Sequence, residues 1–182
     1  MIMQTLHLHD IVHLDKTPGG ISIRCNHPFV PSDSGNIAYK AAALLMEECG
    51  IPGGIQISIE KSIPVAAGLG GGSSDAAAVL KGMNALYSLG LENGRLKEMG
   101  LKLGADVPYF IEGGTVLAEG IGERLTCLDK LAGVDILLVA PKFGVSTAWV
   151  YKNLMLEDIV DRPDMRMLTE AVASTRLDVL SA

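Results

Sequence analysis

Ile55, Ile57 and Ile59 alternate with Gln56, Ser58 and Glu60, a period of two that places the isoleucines on one side of a half-buried strand. A weaker alternation through Leu6, His7, Leu8 and His9 predicts a strand over 2–14. Ile21 and Ile23 predict another short strand. Pro31 to Gly35 reads as a turn, after which Asn36 opens an alanine-rich helix ending near Gly50. Behind Ser73, Ser74 and Asp75 the period changes: Ala76, Val79, Leu80, Met83 and Tyr87 fall at helical spacing. A shorter helix is predicted over 94–103, and Gly104 to Pro108 interrupts the chain. Segments 115–118 and 123–128, separated by Glu119 to Gly122, read as a hairpin. Then come a buried strand over 135–140, a helix over 146–154 and a final helix over 165–180. Strands and helices mix with hairpins and no regular βαβ rhythm, which predicts an α+β fold.

Composition narrows the function classes. The net charge is −6, with no basic stripe, which argues against a nucleic-acid backbone as the main partner. Cys25, Cys49 and Cys127 are scattered and lack CxxC spacing, as expected of free thiols in a reducing cytosol. The opening residues do not resemble a signal peptide, and no apolar run approaches the roughly 18 residues of a membrane span. The expectation is a cytoplasmic protein without a membrane partner. His7, His9 and His13 lack a carboxylate–histidine pattern such as HExxH, so they are read as exposed strand histidines and no metal site is assigned. Glu47 and Glu48 read as a solvated helix face.

The chemistry concentrates at Pro64, Val65, Ala66, Ala67, Gly68, Leu69, Gly70, Gly71, Gly72, Ser73 and Ser74, between a predicted strand and a predicted helix. Glycines let an anion approach the backbone, and a helix start offers unpaired N–H groups and partial positive charge. Ser73 and Ser74 could cap the helix, or give hydroxyls to phosphate oxygens or Mg²⁺. Lys61 is a candidate cation for the same ligand. No lysine follows the glycines as a P-loop requires, and Ser73 occupies the last glycine position of a GxGxxG pattern. The bland alternative is a flexible linker or a tight strand-to-helix turn.

The run from Lys61 to Ala78 closely resembles the ATP motif of the GHMP kinases. Residues 36–42, 104–108, 113–115 with 119–123, and 144–147 followed by Tyr151 are similar to the branch of that family acting on a cytidine-diphosphate-linked methylerythritol. The resemblance implies a GHMP-kinase N-terminal domain (ribosomal-protein-S5-domain-2-like) over 1–132 and the start of a ferredoxin-like substrate-side domain over 133–182. It implies ATP and Mg²⁺ as cofactors, and transfer of the γ-phosphoryl group to the 2-hydroxyl of that small molecule. Asp106 matches the catalytic aspartate, though it could be a turn or cap residue. Asn36 and Lys61 match positions near the adenine, or are a helix N-cap and a solvated strand-end charge. Ser146, Thr147 and Tyr151 match the substrate side, or are caps and core packing. A homodimer is left open.

Against the family pattern, an opening strand with an AKINL-like lysine, a DGYH-like turn and a closing SGSGP-like loop are missing. The expectation is therefore a fragment or interrupted gene product with weak or no turnover. The absent strand would leave a sheet edge open to aggregation or strand exchange.

Overall fold

The computed structural model describes residues 1–131, 133–140, 147–155, 157, 159 and 162–180. Strand β4 (Gly54–Glu60) is the centre of a three-stranded sheet between β2 (Ile11–Thr17) and β3 (Gly20–Cys25). β2 runs antiparallel to β4 with Val12 opposite Ile59 and Leu14 opposite Ile57, while β3 runs parallel with Ile23 beside Ile57. A parallel pair needs a crossover, and helix α1 (Ile37–Cys49) supplies it. The three isoleucines of β4 are buried, as their period of two requires.

Helix α1 and helix α2 (Gly71–Leu86) pack together on this sheet. Ala41, Ala42 and Leu45 meet Val79, Leu80 and Met83 in one core cluster, with Leu96 and Met99 from α3 (Asn93–Leu103). Each fully buried Leu, Ile or Met removes enough apolar surface to contribute about 1.5–3 kcal/mol. At Gly54 a Cβ would sit 2.1 Å from the Gly20 carbonyl, so β3 and β4 close up only because that position has no side chain. Glu48 on α1 takes Arg95 and Lys102 of α3, each at 2.6 Å, so it links two helices. Pairs this exposed are screened by water and salt and add little.

A second sheet has the order β1 (Ile2–Gln4), β5 (Thr115–Glu119), β6 (Arg124–Cys127), all antiparallel. Helix α4 (Val107–Glu112) leads into it. Helices α5 (Thr147–Asn153), α6 (Met165–Ala173) and α7 (Leu177–Leu180) follow. No helix among the described residues is long and apolar enough to cross a membrane.

Five expectations change. The strand read over 2–14 is two strands, because its halves serve different sheets and one straight strand cannot pair with both. Consequently His7 and His9 lie outside any strand, although all three histidines are exposed; His13, on β2, pairs with Glu60 at 3.0 Å. α2 begins at Gly71 rather than at the serines. The interruption at 104–108 becomes the start of α4, with Pro108 in its first turn, where a missing N–H costs nothing. The helix read over 165–180 breaks into α6 and α7 at Thr175, whose φ is 52°. The buried strand read over 135–140 is neither strand nor buried: Leu137 is 89% exposed. A strand needs a paired neighbour, and among the described residues none pairs with this stretch.

Candidate phosphate-binding and catalytic site

Between β4 and α2 the chain makes an irregular bend in which Ala66, Gly68 and Gly70 take positive φ values of 57°, 71° and 68°. Repeated left-handed residues are how successive N–H groups form an anion-binding concavity. Gly70 is also where space decides: a Cβ there would lie 2.5 Å from the Phe110 ring of α4. The first closed turn of α2 is the bond from Ser74 N–H to the Gly70 carbonyl, 2.9 Å. The amides of Gly71, Gly72 and Ser73 therefore precede the helix's own ladder, and the positive end of a 16-residue helix faces the bend. No side chain caps this end. Ser74 Oγ donates instead to the Gly71 carbonyl at 2.8 Å, which leaves its lone pairs available as acceptors.

The turn carrying Asp106 meets this bend from the other side. A Cβ at Gly104 would lie 4.0 Å from Ser73 Oγ, and Phe110 covers Gly70. Asp106 stands at the N-cap position of α4, but no backbone amide bonds its carboxylate, which is exposed. The capping alternative is therefore not realised by the side chain. Gly68, Leu69, Gly70, Ser74, Asp106, Tyr109 and Phe110 line a common cleft of about 330 Å³. Tyr109 is held in its wall by a 3.0 Å bond to Thr5 Oγ1.

Other expected residues stand elsewhere. Asn36 is the N-cap of α1: its Oδ1 accepts from Ala38 N–H at 2.9 Å and its Nδ2 donates to the Pro31 carbonyl at 2.8 Å. It is buried, and it does not line the cleft. Pro64, Val65, Ala66, Ala67, Gly71, Gly72 and Ser73 belong to the bend and the helix start without lining the cleft. Thr147 and Tyr151 lie on α5, and Ser146 lies outside the described residues.

Lys61 is not a solvated strand-end charge. Its side chain is only 4% exposed, and its ammonium donates to both Asp10 Oδ2 and, at 2.9 Å, Asp75 Oδ2. Asp10 Oδ1 accepts the amides of Ser62 and Ile63 at 2.6 and 2.9 Å. Burial works against the charge on Lys61, yet the two carboxylates outweigh it and raise the lysine's pKa. Burial also opposes ionisation of Asp10, but Lys61 and the two amides hold it below the usual carboxylate range. Asp75 goes the other way: burial, reinforced by the like charge of Asp10 and only partly offset by Lys61, pushes it up to about 6. Its Oδ1 is buried with no hydrogen-bond partner among the described residues.

Asp10 and Asp75 carry no local signal as a pair. They lie 51 and 14 residues from Lys61, and only the packing of β2, the β4 end and α2 unites them. The one available hint was an acid placed directly after the paired serines.

Residues 36–114 match the model of the GHMP kinases N terminal domain. That match contains the bend, α2 and the Asp106 turn. Residues 36–114 thus resemble a GHMP kinase N-terminal domain. Over 181 residues the chain is 54% identical to the 4-diphosphocytidyl-2-C-methyl-D-erythritol kinase of Acetivibrio thermocellus, covering 100% of this chain and 64% of that protein. It is 49% identical over 181 residues to the kinase of the same name from Clostridium botulinum, covering 100% and 65%. The chain thus spans about two-thirds or less of the length of these curated relatives. A crystal structure of 4-(cytidine 5'-diphospho)-2C-methyl-D-erythritol kinase superposes on 92% of this chain and 59% of its own, with TM-score 0.70 and 35% identity. Homoserine kinase from Cytophaga hutchinsonii reaches the same TM-score of 0.70 at 19% identity, covering 94% of this chain and 61% of its own, a likeness of fold alone. The mixed α+β architecture of the described residues agrees with that match.

Proposed function

We propose that this chain supplies the ATP-binding unit of a kinase acting on 4-diphosphocytidyl-2-C-methyl-D-erythritol, a step of non-mevalonate isoprenoid biosynthesis. The carrying observation is that Gly68, Gly70, Ser74 and Asp106 line one cleft. In this reading the bend from Pro64 to Ser74 wraps the phosphates, with the amides at the start of α2 facing the anion. Asp106 accepts the proton of the substrate's 2-hydroxyl and aims that oxygen at the γ-phosphorus of ATP. Phosphoryl transfer asks little further covalent chemistry of the protein, so position and charge compensation supply most of the barrier reduction.

The charge of the cleft bears on the cofactor. Its lining contains Asp10, Asp75 and Asp106 but no Lys or Arg among the described residues. A triphosphate entering it needs a cation, and Mg²⁺ arriving with the nucleotide supplies that charge. The Ser74 hydroxyl is a lining oxygen that fits such an ion. We assign no direct ligand contact to Asn36 or Lys61, whose polar atoms already have partners. Ser146, Thr147 and Tyr151 are placed on the cytidine side by resemblance. A domain boundary at 132/133 follows the end of β6 at Cys127.

The test is ATP-dependent phosphorylation of the cytidyl substrate by the purified chain and its Asp106→Asn variant. Loss of a positioned base lowers turnover by roughly 10²-fold or more, with ATP affinity kept within about twofold because the carboxamide preserves shape. Undiminished turnover in the variant would remove Asp106 from the mechanism. ATP binding without turnover in the unaltered chain would leave a nucleotide-binding module. Phosphorylation of homoserine instead would reassign the substrate.

A further inference from the structure

The proposed chemistry makes no use of the buried cluster of Asp10, Lys61 and Asp75, yet the cluster holds both ends of the phosphate-binding bend. We infer that these three are positioning residues that set the shape of the bend, with Lys61 acting through the backbone rather than as a ligand of the nucleotide. This rests on the nucleotide reading above and refines it.

The entry to the bend is Ser62 and Ile63, whose amides donate to Asp10 Oδ1 at 2.6 and 2.9 Å. The exit is the start of α2, where Asp75, just past the first turn, takes Lys61 Nζ on its Oδ2 at 2.9 Å. A Cβ on Gly71 would lie 3.0 Å from that same Nζ, so the ammonium sits directly against the first residue of the helix. One cation therefore joins β2, the end of β4 and the helix start, and the residues between are closed by fixed ends. Fixing both ends removes conformations that the bend would otherwise sample.

Two observations separate this role from direct phosphate binding and from ordinary stabilisation. The Lys61 side chain is 4% exposed, and reaching a triphosphate would strip two buried carboxylates of their counter-charge, a large penalty. The second is Asp75 Oδ1, buried without a partner although Asp75 lines the cleft. A cluster that served stability alone would satisfy its atoms, as buried polar groups nearly always do. This one leaves an acceptor unmet beside the proposed ligand.

The probes are ATP, inorganic tripolyphosphate and adenosine, titrated into the purified chain and into folded Lys61→Met and Asp75→Asn variants. Misplacing the cradle is expected to weaken ATP and tripolyphosphate by roughly tenfold in Lys61→Met, with adenosine binding unchanged. Asp75→Asn keeps an acceptor for Lys61 and removes a buried charge, so it folds, and a loss of about threefold for the same two ligands is expected. If Lys61→Met does not fold, Asp75→Asn decides alone. Equal losses for adenosine and ATP would mean direct contact with the base and would overturn the inference. Unchanged affinities in folded variants would also overturn it, leaving the cluster purely structural. An unaltered chain that binds neither ATP nor tripolyphosphate would instead overturn the nucleotide reading itself.

Discussion

β4 and the stretch over 135–140 are both segments of strand length rich in apolar residues, but only β4 became a strand. Ile55, Ile57 and Ile59 are flanked by β2 and β3 and covered by α1 and α2, and all three are buried. Ile136, Leu137 and Val139 are 50%, 89% and 81% exposed, with no strand beside them among the described residues. The difference is partners rather than intrinsic preference: a pleated ribbon gains stability only from cross-strand and face-to-face neighbours. Apolar pattern thus states what a segment can do, and topology decides whether it does.

The sharpest way to break that contrast is to delete side chains in the covered region. Leu80, fully buried between α1 and the β4 sheet, is expected to cost about 2–5 kcal/mol as Leu80→Ala, the transfer term plus a cavity. Urea denaturation measures it. A loss under about 1 kcal/mol would mean that the helix layer is not close-packed on the sheet.

Gly70 comes next, because it joins the core to the site. Gly70→Ala puts a Cβ at a φ of 68° and 2.5 Å from the Phe110 ring. Strain and displaced packing together are expected to cost about 2 kcal/mol. A melting temperature equal to that of the unaltered chain would show that α4 does not rest on the bend, and the cleft would lose a wall.

A smaller effect is specific to pH. Asp75 titrates near 6 in the folded chain, above its ordinary 3.8. Between those values the folded state holds a proton that the unfolded chain has released. Its contribution therefore favours folding at low pH and is lost as pH rises through 6. Asp10 is held below its ordinary value, so its contribution is present above about 3.8 and disappears only in more acid solution. Moving from pH 7 to pH 5 should stabilise the unaltered chain by roughly 1 kcal/mol relative to Asp75→Asn. Parallel stability curves for the two would place Asp75 in an environment no different from water.

The same contrast explains what the sequence could disclose. The helix from Asn36 to Gly50, the isoleucine strand and the 115–128 hairpin were readable because period, cap and turn residues agreed within each segment. The glycine bend stood out for a similar reason, because glycines clustered beside a helix start have few structural uses, whereas Asp106 was singled out only by resemblance. What could not be read locally was the break between β1 and β2, since nothing in residues 5–10 states that the chain passes from one sheet to another. The buried pairing of Lys61 was not legible for the same cause. Its environment is made by Asp10 and Asp75, brought in from separate elements. Asn36 shows the converse: its capping signal described the bond its Oδ1 accepts, and its other partner, Pro31, is also close in sequence.

The smallest effect is the most direct test of the opening contrast. Leu137 has the same chemistry as Leu80 and a similar apolar neighbourhood in sequence, but 89% of its surface is open to water. Leu137→Ser removes apolar surface that was never buried, so unfolding free energy should move by less than about 0.5 kcal/mol. A loss near that of Leu80→Ala would show that residues 135–140 are covered in solution. The segment would then count as a true strand, and partners, not pattern, would have been underestimated.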